Sequence, residues 1–265
     1  MANTPYENFV LQTIIEDQYA SKLDLMQFCT VVNDLMVVPG MKIIRHRYSA
    51  TDGTEILAQG VGNSKLIEAS FVDDEVEVKL YQNHFSYFDE ELMKDPTVVE
   101  TGVRHGAVDM WNTTRGDIMA EYNKASLTVN ASAYDFNAFV DATTLLGLEN
   151  DEDAEIFALV NPQHKGAIRK ALKDDLKYNE SYSRNGYIGE CAGVKIHTSN
   201  FVKPENGVIV ATKEAVEYIN KSGAQVEIAA RSADDANVRK NDVFNRKYGA
   251  PHFCDDTKAV KIIVA

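Results

Sequence analysis

The sequence contains 265 residues, of which 45% are hydrophobic and 9% aromatic, so it can bury a sizeable core in one or two domains. Its formal net charge of −13 argues against a protein that grips nucleic acid by its phosphates, because such a protein needs a basic surface. There is neither an apolar run of membrane-spanning length nor a signal-peptide pattern at the start, so we predict a cytosolic protein without a membrane segment.

Residues 1–38 are predicted to form an arm. Apolar residues recur there with a helical rhythm, which Pro39-Gly40 interrupts. The rhythm is carried by Leu11, Ile14, Ile15, Tyr19, Leu23, Met26 and Cys29.

A long, glycine-containing excursion follows between two predicted strands. Met41–Tyr48 forms the first strand, and Glu75–Leu80 alternates strictly between polar and apolar residues, which is strand periodicity. An isolated two-stranded hairpin is marginally stable, so a projecting one needs other surface to pack on. The pattern hints at a partner chain, although packing within the chain would serve equally. The turn and flexible positions between the strands are Thr51, Asp52, Gly53, Gly60 and Gly62, and Lys65 follows them.

The segment Asp95–Lys124 predicts one long helix. Asp95-Pro96 is a start signal, and no proline interrupts the following rod of about 42 Å. Apolar spacing of three and four residues places one face inward, and Trp111 is the candidate anchor of one flank. The helix is the element around which we expect the chain to be organised. The inward face comprises Val99, Val103, Ala107, Met110, Thr114, Ile118, Tyr122 and Ala125.

The rest of the chain mixes strands and helices in a compact pattern. Predicted strands are Leu127–Val129, Ile156–Val160, Tyr187–Glu190, Val194–His197, Val208–Ala211, Gln225–Ala229 and Val260–Val264. Predicted helices are Phe136–Leu146, a helix from the Asn161-Pro162 cap to about Lys173, the segment Lys213–Asn220 capped by Thr212, and a possible short helix within Arg231–Arg246.

The sequence contains no recognisable catalytic, phosphate-binding or metal-binding motif. It has no G-x-S-x-G elbow, and Gly60–Lys65 lacks the spacing of a phosphate loop. The acidic stretch Glu149–Glu155 alternates like a calcium loop but lacks its glycine, which favours a solvated loop or a first helical turn. Three scattered cysteines and six histidines show no metal-ligand spacing. We therefore predict no catalytic residues, no cofactor and no metal.

The C-terminal part of the sequence carries a recognisable resemblance. Its segments are 158–162, 167–172, 189–199, 208–216, 246–249 and 258–262. Together with the order of elements upstream, they resemble a tailed-bacteriophage major capsid protein with the Hong Kong 97-like fold. The recognisable sequence motifs are limited to about residues 156–265, whereas the likeness in topology covers essentially the whole chain.

The resemblance implies an α+β fold with four parts. These are an N-terminal arm (1–38), an extended β-hairpin loop (39–75), a peripheral domain with a long spine helix (76–133 and 222–265) and an α/β axial domain (134–221). It implies pentamers and hexamers in an icosahedral head that encloses double-stranded DNA, with assembly in the host bacterial cytoplasm and no enzymatic activity.

The resemblance also implies partners. They are other copies of the chain, a separate scaffolding protein, a portal and possible decoration proteins, with DNA enclosed but not tightly bound. Some relatives crosslink a loop lysine to a neighbour's asparagine; Lys65 is the only lysine well inside the loop, but no matching Asn-and-Glu context accompanies it. An encapsulin-like nanocompartment shell remains an alternative within the fold, and an α/β enzyme with an unrecognised site is an alternative outside it.

Overall fold

The computed structural model describes residues 28–51, 53–148, 155–173 and 189–264. Short 3₁₀ turns occur at Pro204–Asn206, Lys213–Ala215 and Asp256–Lys258. In chain order the other elements are β1 (Thr30–Val32), α1 (Asp34–Val37), β2 (Lys42–Ala50), β3 (Ala69–Glu77), β4 (Lys79–Phe88), α2 (Asp89–Lys94), α3 (Val98–Tyr122), β5 (Leu127–Ala131), α4 (Phe136–Leu146), β6 (Ile156–Val160), α5 (Pro162–Ala171), β7 (Glu190–Cys191), β8 (Val194–Thr198), β9 (Val208–Thr212), β10 (Val216–Asn220), β11 (Gln225–Ile228), α6 (Ala233–Val238), β12 (Lys240–Phe253) and β13 (Ala259–Val264).

The long strand β12 organises a five-stranded sheet. One edge of β12 pairs antiparallel with β4 from Lys240 to Gly249. Its other edge pairs first with β11 and then with β10, and β1 adds to β10 in parallel. Pairing with β10 thus fixes residues 30–32 to this sheet.

The second sheet has six strands in the order β5-β13-β9-β6-β8-β7. Strand β6 is buried along its whole length, because successive side chains enter two different cores. Ile156, Ala158 and Val160 face a core that includes α4, whereas Phe157 and Leu159 face a core that includes the end of α3. This sheet is therefore covered on both faces where β6 lies.

The predicted long helix is confirmed as α3, hereafter the spine helix. It begins at Val98 rather than at Pro96, because Asp95 instead accepts hydrogen bonds from the backbone and hydroxyl of Thr97 at 2.9 and 2.7 Å. All eight residues of the predicted inward face are buried. Its first half packs on the five-stranded sheet, and its last turns enter the core shared with the six-stranded sheet.

The spine helix approaches the five-stranded sheet closely at two glycines. A Cβ at Gly102 would lie 2.4 Å from the ring of Phe85. A Cβ at Gly106 would lie 2.4 Å from the side-chain amide nitrogen of Asn245. Although glycine lowers helix propensity, these two positions permit the contact that places the helix on the sheet.

The predicted hairpin is present as β2 and β3, whose residues pair from Lys42–Glu77 to Ala50–Ala69. Its second strand was wrongly bounded in the sequence prediction. Glu75–Leu80 straddles the end of β3 and the start of β4, and Val78 lies between them, donating its backbone N–H to Met41 at 2.8 Å. The alternation of polar and apolar residues continues through this junction because Val76 and Val78 are both buried, so the sequence did not reveal the end of β3.

One further prediction was wrong. The predicted helix Lys213–Asn220 is a 3₁₀ turn followed by β10, whose β-branched and aromatic residues suit a buried strand. The possible short helix within Arg231–Arg246 is present as α6, whereas the strand β12 that begins at Lys240 was not predicted. The remaining predicted strands and helices are present within a few residues of the expected bounds, as far as the structure describes them. The arm's helical rhythm before Phe28, the calcium-like stretch 149–154 and Tyr187-Ile188 lie outside the described residues.

The division into four parts stays a prediction. The sheets interleave along the sequence: β10, at 216–220, belongs to the five-stranded sheet, and β13, at 259–264, belongs to the six-stranded one. The chain therefore passes from the six-stranded sheet to the five-stranded sheet before residue 216 and returns after residue 253.

Candidate assembly surfaces

The contacts of the hairpin with the described part of the body lie at its base. Ile43 and Val76 form a cross-strand pair that packs with Val78 and Leu35, and Arg45 donates to the carboxylate of Glu217 at 2.7 Å. On the same face of β3, the exposed fraction of the side chains rises with distance from the base: Val76 is 7% exposed and Val72 is 64% exposed. Beyond its first few residue pairs, the ribbon projects from the chain that carries it.

The projecting part of the hairpin exposes an unusual number of large apolar side chains. They lie on both strands and in the connection between them, so they cannot form one core within the ribbon. Large apolar exposure of this kind is typical of surfaces that bind other molecules. The residues are Ile44, Ile56, Leu57, Val61, Leu66, Ile67, Phe71 and Val72.

The connection between the strands, residues 51–68, has defined internal hydrogen bonds. The Thr51 backbone donates to the Glu68 carbonyl at 3.1 Å, and the Glu68 backbone returns a bond to the Thr51 hydroxyl at 3.0 Å. The carboxylate of Glu55 accepts from both the backbone and the hydroxyl of Ser64 at 2.9 Å. These bonds join the outgoing and returning halves of the tip.

The glycines predicted for the loop have different local roles. Gly53 is buried against Ile67, where an added Cβ would lie 2.5 Å from a side-chain carbon. Gly60 has a φ of 86°, whereas a Cβ at Gly62 would meet open space. Lys65 is exposed, and its backbone donates to the Asn63 side chain at 2.9 Å. Asp52 lies outside the described residues.

The predicted spine-helix residues are all buried, so they belong to the core and do not form part of an exposed contact surface. They are Val99, Val103, Met110, Trp111 and Ile118. Trp111 carries the Arg115 guanidinium at 5.1 Å from its ring, and desolvation by burial lowers the pKa of Arg115.

The helix α4 presents a second exposed apolar surface. Its Ala138, Phe139, Ala142 and Leu146 enter the core of the six-stranded sheet. On the remaining sides of this helix, apolar side chains face outward. They are Phe136, Val140 and Leu145.

Three side chains that could bind a metal ion lie together at the base of the hairpin. Ligand atoms of Glu217, His252 and Cys254 lie within 4.8 Å of one another. Desolvation raises the pKa of Cys254 to about 12, and desolvation also lowers the pKa of His252. The sequence reasoning missed this cluster, because Glu217 joins the other two residues only through the pairing of β10 with β12.

A small pocket lies elsewhere, at the edge of the six-stranded sheet. It is lined by Glu155, Ile156, Phe157, Lys195 and His197. Lys195 already donates to the Glu155 carboxylate at 3.3 Å, and no activated nucleophile lies among the lining residues. No helix among the described residues has the length and apolar character needed to cross a bilayer.

A spine helix on a mostly antiparallel sheet, a second sheet of mixed strand directions and a projecting hairpin make up the Hong Kong 97-like capsid fold, an α+β fold. The comparisons with solved structures agree. The chain matches the structure described as Mycobacterium phage Che8 at a TM-score of 0.65 and 16% identity, covering 88% of each chain. The capsid of a native GTA particle matches at a TM-score of 0.71 and 12% identity, covering 91% of this chain and 89% of the other. A virus-like particle from Pyrococcus furiosus matches at 0.64 and 11%, covering 96% and 98%.

At these identities the likeness concerns the fold. No protein-family model matches the sequence, and no curated protein matches it significantly. The predicted fold, that of a tailed-phage major capsid protein, is confirmed.

Proposed function

We propose that this chain is a major capsid protein that assembles as pentamers and hexamers into the icosahedral head of a tailed phage. Its location is then the virion, after assembly in the cytoplasm of a bacterial host. Double-stranded DNA is enclosed but not tightly bound, because a chain with a net charge of −13 repels phosphates. We propose no catalytic activity.

The projecting hairpin carries this proposal. Covering a half-exposed apolar side chain is worth about 1 kcal/mol, so the exposed set on the hairpin provides several kcal/mol for association. A closed shell needs surfaces that reach across neighbours and repeat by symmetry. A two-stranded ribbon of about 30 Å, whose contacts with the described part of the body lie at its base, supplies such a reach.

Other partners follow from the proposed role. A separate scaffolding protein would direct shell size, a portal would occupy one vertex, and decoration proteins could add to the outer surface. The outward apolar residues of α4 provide a second contact surface, which we assign to neighbouring copies within a capsomer.

The test is electron microscopy of the purified protein and of a hairpin variant. Replacing residues 51–68 with Asn-Gly should close a short hairpin on the Ala50–Ala69 pair and leave the base contacts intact. We expect the wild type to form closed polyhedral shells and the variant to remain a folded, soluble subunit or capsomer. Normal shells from the variant would contradict the role given to the hairpin.

A matched pair of substitutions sharpens the test. Leu66→Ser removes an exposed apolar side chain from the tip, and Met93→Ser removes one from α2. We expect only Leu66→Ser to raise the protein concentration needed for assembly, by about fivefold for a loss of about 1 kcal/mol. An equal effect of both would show that the tip has no special part in assembly.

An encapsulin-like nanocompartment is the second candidate. The observation that favours it is the match to the virus-like particle, which covers nearly the whole of both chains. Micrographs separate the two proposals by content: heads filled with DNA support the phage capsid, and small uniform shells that hold an enzyme support the compartment.

A further inference from the structure

Strands β10 and β12 bring three different donor atoms to one face at the base of the hairpin. Glu217 and His252 lie directly opposite each other in the antiparallel register. Cys254 follows His252 by two residues, and its backbone donates to the Ala215 carbonyl at 2.8 Å, which continues the pairing past the end of β12. Cross-strand partners and residues two apart point to the same side, so the carboxylate, imidazole and thiol converge.

The geometry points to a divalent metal site formed by Glu217, His252 and Cys254, and we propose Zn²⁺ as the ion that it takes. A carboxylate oxygen, an imidazole nitrogen and a thiolate form the mixed donor set that suits this borderline-soft ion. Bonds of about 2.0–2.3 Å place tetrahedral ligands about 3.3–3.8 Å apart. The ligand atoms now lie within 4.8 Å of one another, so side-chain movements of about 1 Å would close the site.

Charge accounting supports the assignment. Binding would release the Cys254 thiol proton to solvent, and the resulting thiolate together with the Glu217 carboxylate would neutralise the two charges of the ion. Three protein ligands would leave a fourth position for water. Glu217 is buried, so a neighbouring cation stabilises its carboxylate.

Arg45 supplies that cation in the structure, by donating from Nε to Glu217 at 2.7 Å. Arg45 lies on β2, so the ion would compete with one of the contacts that hold the hairpin to the body. The site thus couples metal occupancy to the base of the hairpin. This inference does not depend on the proposed function, since it concerns the single chain.

The test uses the full-length, unassembled protein with Co²⁺ and Zn²⁺ as probes. We expect one Co²⁺ per chain, a thiolate-to-cobalt charge-transfer absorption band, and loss of that band when Zn²⁺ is added. Titration calorimetry in two buffers should report about one proton released per ion near neutral pH. A wild type that shows no band and no proton release would overturn the proposal.

Variants test the ligands separately. Cys254→Ser should abolish the band, and His252→Gln should weaken Zn²⁺ binding by about tenfold or more, whereas Cys191→Ser, in the other sheet, should change neither. Arg45→Gln should strengthen binding severalfold, because it removes the competing cation. A band that persists in folded Cys254→Ser protein, or a Zn²⁺ affinity unchanged by His252→Gln, would refute the assignment.

Discussion

The substitution Gly106→Ala tests how closely the spine helix must lie on the five-stranded sheet. An added Cβ would stand 2.4 Å from the amide nitrogen of Asn245 and 2.9 Å from the amide oxygen of Asn83. Those side chains form a connected network: Asn245 donates to Asn83 at 2.9 Å, and Asn83 donates to the Gly106 carbonyl at 2.7 Å. Since Asn245 is fully buried, it cannot exchange these bonds for water.

The opposing contributions can be compared. Alanine gains about 1 kcal/mol over glycine in a helix interior. Forcing a methyl into a filled space costs about 1–3 kcal/mol, and leaving a buried amide without its partner costs about 1–3 kcal/mol. We therefore expect Gly106→Ala to lower the free energy of unfolding by about 1–5 kcal/mol.

Gly116→Ala provides the control in the same helix. Its added Cβ would meet the Phe201 ring no closer than 3.4 Å, which is an ordinary contact. The helix-propensity gain should then remain, and the free energy of unfolding should rise by up to about 1 kcal/mol.

The assay is urea unfolding of the unassembled protein, with the midpoint and the slope measured for both variants. The two substitutions should shift the midpoint in opposite directions with the slope unchanged. A Gly106→Ala protein as stable as the wild type, or one that tracks Gly116→Ala, would refute the close packing at this position.

Three further outcomes follow from burial and charge. Val103→Asp should abolish folding, judged by circular dichroism and soluble yield, because it buries an unpaired charge; His105→Asp, on the exposed side of the spine helix, should fold normally. The Arg231 guanidinium lowers the pKa of Asp89, so their ion pair should stabilise the protein above the ordinary carboxyl pKa of 3.8 and be lost as the pH falls through the lower folded value. Asp89→Asn should therefore be less stable at neutral pH and lose less stability in acid unfolding; equal acid sensitivity would contradict this. Burial raises the pKa of the Cys29 thiol to about 12, so iodoacetamide should label it slowly in the folded protein and quickly in urea, and fast labelling of folded protein would contradict its burial.

Much of the fold could be predicted because local pattern and tertiary environment agree. The spine helix has one buried face, so its apolar residues recur at helical spacing. Asn161 accepts from the backbone of Gln163 at 3.0 Å, with Pro162 in the first helical turn, as their order in the sequence predicts. At these places no distant residue is needed to determine the local structure.

The prediction failed where distant residues determine the environment. Strand β10 is buried on both faces, so its apolar residues lose the alternation that identifies a strand and happen to fit a helix. Strand β12 carries polar side chains inward, including the fully buried Asn245, which is compatible with a core only because Asn83 on β4 pairs with it. The Glu217, His252 and Cys254 cluster escaped notice for the same reason, because its members meet only in the folded sheet.

The low identity to the solved capsids is consistent with what a buried core requires of its residues. Buried strands such as β6 require apolar side chains of suitable total volume rather than particular residues, so the fold persists at 9–16% identity while family models fail to match. Under the proposed function the hairpin is constrained differently, because its partners would belong to other chains and its contacts would have to change together with theirs. In this chain the exposed apolar residues of the tip lie on a framework of hydrogen bonds that Thr51, Glu55 and Ser64 form.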